Sequence, residues 1–98
     1  MNIEPKKDGG KLEVKVSGRL DTTTAPELDE YLKQSLEGVD ELIIDFSDLE
    51  YISSAGLRVL LSAQKTMNTQ GSMTVKGVND IVMEIFDVTG FTDILNIE

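Results

Sequence analysis

Apolar and polar positions alternate strictly in "KLEVKVSG", with Leu12, Val14 and Val16 on one side and Glu13, Lys15 and Ser17 on the other. Period two is the signature of a strand with one buried face. The "DGG" at Asp8 to Gly10 precedes it, so "MNIEPKK" is the expected partner strand of a hairpin. Pro5 has no N–H to give to a ladder, which puts that partner at the sheet edge. The period then changes. In "TTTAPELDEYLKQSLEG" the apolar residues Ala25, Leu28, Leu32 and Leu36 recur at helical spacing. Thr24 and Glu27 have the spacing of a capping box, Pro26 falls in the first turn, and Gly38 is placed to end the helix.

Leu42, Ile43, Ile44 and Phe46 in "ELIIDF" are nearly continuous, the pattern of a central strand covered on both faces. A helix is predicted from about Ser53 to Gln70, ending before Gly71, and "SMTVKG" reads as a further short strand. "NDIVMEIFDVTG" predicts a third helix, capped by Asn79 or Asp80 and stopped by Gly90, and "FTDILNIE" a last edge strand. Strands alternating with helices imply an α/β fold: a mainly parallel, mixed sheet with right-handed crossovers, an antiparallel edge hairpin and helices packed against it. With no linker, repeat or low-complexity tract, residues 1–98 form a single domain.

Composition narrows the chemistry. The chain has no cysteine and no histidine, which excludes thiol nucleophiles, disulfides, the usual zinc sites and every scheme that needs an imidazole. With 18 acidic against 9 basic residues the net charge is -9, which opposes a nucleic-acid backbone or an anionic membrane surface. The expected partner is a protein. The N-terminus has no apolar core of a signal peptide and no window approaches the ~20 apolar residues of a membrane span, so a cytoplasmic location is expected.

No glycine-rich phosphate loop is present, and no cofactor is expected. Asp45, Asp48 and Glu50 gather at the end of the central strand, where a magnesium site is conceivable, but carboxylates in a strand-to-helix loop are far more often solvated turn residues. No metal is expected. A phospho-accepting receiver, with Asp45 as acceptor and Lys76 as its lysine, lacks the acidic pair after the first parallel strand, where "VSGRLD" offers only Asp21. An enzyme is therefore not expected.

"EYISSAGLRVLL" starts the second helix with two adjacent hydroxyls. With Leu57 at zero on a helical wheel, Leu60, Leu61, Gln64 and Met67 fall within roughly 80° of it, and Arg58, Ser62, Lys65 and Thr69 form the opposite arc. Ser53 extrapolates to roughly -40°, inside the apolar arc, and Ser54 to roughly +60°, beside the polar one. Ser53 is then the N-cap, with its hydroxyl turned inward onto backbone N–H groups, and Ser54 is outward. A phosphate on Ser54 would sit where the helix N-terminus favours an anion, with Arg58 one turn on. That both serines serve only to start the helix fits the same pattern, and the wheel does not decide between the two.

"GRLDTTTAPEL", "LIIDFSDLEYISSAGLRVLL" and "FDVTGF", in this order and spacing, closely resemble the STAS domains of bacterial anti-sigma factor antagonists over nearly the whole chain. The family motif runs aspartate, serine, serine or threonine, glycine, leucine, with the first hydroxyl residue as phosphoacceptor. The resemblance puts Ser54 in that position, Ala55 in the second hydroxyl position, and Gly56 and Leu57 in the last two. Ser53 stands where many members have aspartate, a departure that bears on kinase recognition more than on the fold. Asp21 matches the family's loop aspartate, and the resemblance implies a partner-binding surface of Asp21, Thr22, Ser53, Ser54, Gly56, Leu57 and Arg58. It implies a partner switch: the unphosphorylated protein binds an anti-sigma factor that is itself a serine kinase and frees the sigma factor, phosphorylation ends binding, and a serine phosphatase restores it. Other members are accessory subunits of lipid transporters or pieces of stress-sensing scaffolds. A small-ligand binding module is disfavoured by the absence of a run of aromatic pocket residues.

Overall fold

A computed structural model describes residues 1–98. The hairpin forms as the alternation requires, β1 (Asn2–Asp8) antiparallel to β2 (Lys11–Leu20), with Gly9 at φ +60° in the turn and Pro5 opposite Val14. The chain continues through α1 (Ala25–Ser35), β3 (Glu41–Asp45), β4 (Leu49–Ile52), α2 (Ser54–Gln70), β5 (Ser72–Lys76) and α3 (Asp80–Thr89). The sheet order is β1-β2-β3-β5, with β2, β3 and β5 parallel and β4 continuing parallel to the far end of β2. No helix is long and apolar enough to cross a membrane.

Leu12, Leu42 and Met73 stand side by side in the register, as do Val14, Ile44 and Val75, and all six are buried with Leu28, Leu32, Leu60, Met67 and Phe86 in one core. The rows between them are different. Glu13, Ile43 and Thr74 form one, Lys15, Asp45 and Lys76 the next, and all six side chains are half-exposed. Helices therefore cover one face of the sheet, and the expectation that Ile43 and Ile44 are covered on opposite faces is corrected. Lys15 pairs with Asp48 at 3.0 Å and Lys76 with Glu13 at 3.4 Å on the open face. A sheet solvated on one side needs only alternate apolar residues, and Ile43 is an apolar exception in a charged lattice.

Three local expectations also differ. β4 is absent from the sequence pattern, because Leu49 and Ile52 are its buried residues and its strand character comes from pairing with β2. Thr24 does not form a capping box with Glu27: its hydroxyl accepts from Asp21 N–H at 2.8 Å and donates to the carbonyl of Arg19 at 2.8 Å. The C-terminal edge strand reduces to a 3-10 turn at Phe91–Asp93, set off by Gly90 at φ +79°, and one parallel bridge between Ile97 and Val75. By contrast, α2 starts and stops where expected, and Asn79 caps α3 by accepting from Val82 N–H at 2.8 Å.

Candidate functional site

β2 and β4 leave the sheet side by side. A bulge between Gly18 and Arg19 shifts their register, so that Gly18 faces Leu49, Arg19 faces Tyr51 and Leu20 faces Ile52. Ser53 N–H then donates to the carbonyl of Leu20 at 2.9 Å. This places the loop after β2, which starts at Asp21, against the start of α2. Arg19 lies 4.6 Å from the centre of the Tyr51 ring, a cation–π contact across the two strands, and its Nε is 3.9 Å from Asp21 Oδ2.

Asp21 organises its own loop. Its Oδ1 accepts from the Thr23 hydroxyl at 2.8 Å, from Thr23 N–H at 3.0 Å and from Thr24 N–H at 3.2 Å. The Thr23 hydroxyl, followed by the two N–H groups, holds the carboxyl below its ordinary value despite an opposing effect of desolvation. The bonds around Asp21 explain why no capping box forms: the Thr24 hydroxyl is turned back to Asp21 N–H and the Arg19 carbonyl, and Thr24 N–H, which the Glu27 side chain would have to reach, is held by the Asp21 carboxylate. Thr22 remains exposed.

At the start of α2, Ser54 is exposed and Ser53 is the N-cap residue, in extended conformation and accepting Leu57 N–H on its carbonyl at 3.0 Å. The inward direction of Ser53 agrees with the wheel; its bonding does not. Ser53 Oγ is buried and has no hydrogen-bond partner, so the expected side-chain cap is corrected to a backbone cap alone. The first turn of α2 carries neither an acid nor a side-chain cap, in contrast to α3 with Asn79 and Asp80. Its partial positive charge faces solvent beside Ser54. Arg58 is exposed and outside the ion pairs of the chain.

Gly56 and Leu57 support this surface from beneath. A Cβ on Gly56 would come within 2.7 Å of Ile52 Cγ1 and 2.8 Å of Leu20 Cγ, so only glycine lets α2 descend onto the ends of β2 and β4. Leu57 is buried in the core. Of the residues expected to bind a partner, Asp21, Thr22, Ser54 and Arg58 are thus brought to one surface, and Ser53, Gly56 and Leu57 shape it by packing. Thr22 and Arg58 line a groove of about 270 Å³ together with Ala25, Pro26, Asp29, Ala55 and Val59. Its other wall is α1. The spacing of Ala55, Arg58 and Val59 marks one helix face, but nothing in the sequence says that α1 lies opposite.

The strand-end carboxylates are dispersed. Asp45 Oδ1 accepts from Ser47 N–H at 2.9 Å, Asp48 pairs with Lys15, Glu50 is exposed, and no group of acidic residues has the arrangement of a metal site. Desolvation pushes the Asp45 carboxyl up, but Ser47, Lys76 and Lys15 outweigh it and hold it below its ordinary value.

The sequence profile of the STAS domain matches residues 2–98. This chain belongs to the STAS domain family. It is 31% identical over 99 residues to the anti-sigma-B factor antagonist of Staphylococcus epidermidis, covering 99% of this chain and 92% of that protein. In structure, this STAS domain resembles an anti-sigma factor antagonist from Mycobacterium paratuberculosis, with a TM-score of 0.88 at 23% identity over 98% of this chain and 83% of the other. It also resembles the Bacillus cell fate determinant SpoIIAA in its phosphorylated form, with a TM-score of 0.77 at 13% identity over 99% and 91% of the two chains. The mixed sheet with its antiparallel edge hairpin and three helices is the fold expected from the sequence.

Proposed function

We propose that this STAS domain is an anti-sigma factor antagonist, a regulatory binding protein and not a catalyst, whose binding in the cytoplasm is switched by phosphorylation of Ser54. The observation that carries the reading is the setting of the Ser54 hydroxyl: exposed on the first turn of α2, free of a neighbouring acid in that turn, and on the same surface as the Asp21–Thr22 loop and Arg58. The partner is an anti-sigma factor with serine kinase activity, which binds across this surface, and a serine phosphatase reverses the modification. A phosphate brings about -1.5 to -2 charges and is tolerated by the fold at a helix N-terminus. Inside an interface the same charge loses its water, at a cost of several kcal/mol unless the partner answers it. A penalty of ~3 kcal/mol weakens binding about 100-fold. The name of the staphylococcal relative supports the reading.

Incubation with the cognate anti-sigma kinase and ATP, followed by mass mapping, tests it. One phosphate is expected, on Ser54. Ser54→Ala is expected to stay unmodified and to bind whether or not ATP is present, and Ser54→Asp to fold normally and bind at least ten-fold more weakly. Modification of Ser53 or Thr22 in place of Ser54, or wild-type affinity of Ser54→Asp, overturns the reading.

A further inference from the structure

The exposed large hydrophobic side chains of this chain are Ile81, Val88 and Ile94, at 60%, 78% and 43% exposure, and all three lie in its last eighteen residues. Ile81 and Val88 share one face of α3 with the half-buried Ile85, at i, i+4 and i+7, within an arc of about 60°. The side chains that anchor α3 to the core, Val82 and Phe86, lie on one side of this stripe. Asp80, Glu84 and Asp87 lie on the other, all exposed, at roughly -60° to -120° from Ile81. Residues 77–98 contain Asp80, Glu84, Asp87, Asp93 and Glu98 and neither lysine nor arginine.

We infer that the outer face of α3 docks a basic amphipathic helix of a partner protein. The apolar stripe supplies the seat and the acidic flank its polarity, so the occupant needs an apolar face bordered along one edge by lysine or arginine. A second copy of this chain does not fit. Two antiparallel α3 helices packed face to face lay acidic flank on acidic flank, with no base on either to compensate. An anionic membrane surface is repelled by the same charges. None of these residues belongs to the surface of Asp21, Ser54 and Arg58, so this inference stands apart from the phosphorylation reading.

The probe is a synthetic amphipathic peptide of about 18 residues with leucine on one face and lysine on the other, a length sufficient to cover α3. Its leucine/glutamate counterpart and phosphatidylglycerol vesicles are run beside it, and binding to the intact protein is followed by amide chemical shifts. Expected are shifts confined to residues 80–94, affinity at least ten-fold weaker for Val88→Lys and for the pair Glu84→Lys and Asp87→Lys, and unchanged affinity for Ser54→Asp. Val88 is exposed enough that its lysine variant should melt like the wild type, and Ile81→Lys serves as a second variant. Shifts centred on the groove between α1 and α2, equal binding of the leucine/glutamate peptide, vesicle binding through α3, or a concentration-dependent dimer that covers α3 each overturns the inference.

Discussion

Ser53 N–H is bonded to the carbonyl of Leu20 at 2.9 Å, and the residues that follow each of them, Ser54 and Asp21, are thereby held on one surface although 33 positions separate them in sequence. The bond is the last rung of the β2–β4 pairing. Everything at the candidate site depends on that pairing: the Asp21 loop is anchored at its base, α2 begins at a defined height, and Gly56 passes between Leu20 and Ile52.

Ser53→Ala is expected to cost under about 0.5 kcal/mol, or to stabilise, because it removes a buried hydroxyl that has no partner. Asn79→Ala is expected to cost about 1–3 kcal/mol: it loses the α3 cap and also leaves the carbonyl of Leu49, which accepts from Asn79 Nδ2 at 2.7 Å, without that bond. Urea melts of the two variants check the contrast. Equal destabilisation would show that the Ser53 hydroxyl caps α2 after all.

Gly56→Ala is expected to destabilise by about 1–3 kcal/mol, from which the gain in helix propensity of about 1 kcal/mol recovers only part. Both side chains that the new methyl would strike, Leu20 and Ile52, are fully buried and have no room to yield. The same melts read this. A neutral substitution would mean that α2 slides freely over the sheet end.

Ile44→Ala is expected to cost about 2–5 kcal/mol and Ile43→Ala about 1 kcal/mol or less, although the two residues are neighbours of identical chemistry. Ile44 is fully buried under the helices, whereas Ile43 sits between Glu13 and Thr74 on the open face. Equal losses would require a second covered face.

The Asp21 carboxyl is expected to titrate below the usual aspartate value near ~3.9, with the amides of Thr23 and Thr24 following the same midpoint in an NMR titration. The sign follows from the direction. Because the folded value is lowered, the bonds from Thr23 and Thr24 contribute to stability at neutral pH, begin to lose that contribution as the pH falls below the unfolded value, and lose it fully below the folded one. Asp21→Asn keeps an acceptor for the loop and removes this part of the acid sensitivity. A midpoint at or above the usual value would show that the loop does not hold the carboxylate.

What the sequence determined by itself was whatever is decided within a few residues: the hairpin at Gly9, the span of α2 up to Gly71, the Asn79 cap and Gly90 stop of α3, and the outward turn of Ser54. The helix starts and stops rest on bonds between positions at most four apart, and the hairpin on a turn closed by Asp8 and Lys11, three apart, so their period and punctuation are written in the chain. The resemblance of its motifs to STAS domains carried the family. Tertiary structure decided the rest. β4 is a strand because β2 offers it a ladder, and a four-residue segment shows too little periodicity to announce that. Ile43 is half-exposed because no helix crosses that face, which the apolar run alone cannot reveal. Thr24 yields its capping role because its hydroxyl is turned back to Asp21 N–H and to the carbonyl of Arg19 at the end of β2, and Ser53 keeps its hydroxyl idle because burial follows from where α2 lands, not from the preference of serine for helix starts. Gly56 is indispensable only because Leu20 and Ile52 lie beneath it, contacts across 36 and four positions that the folded sheet brings together.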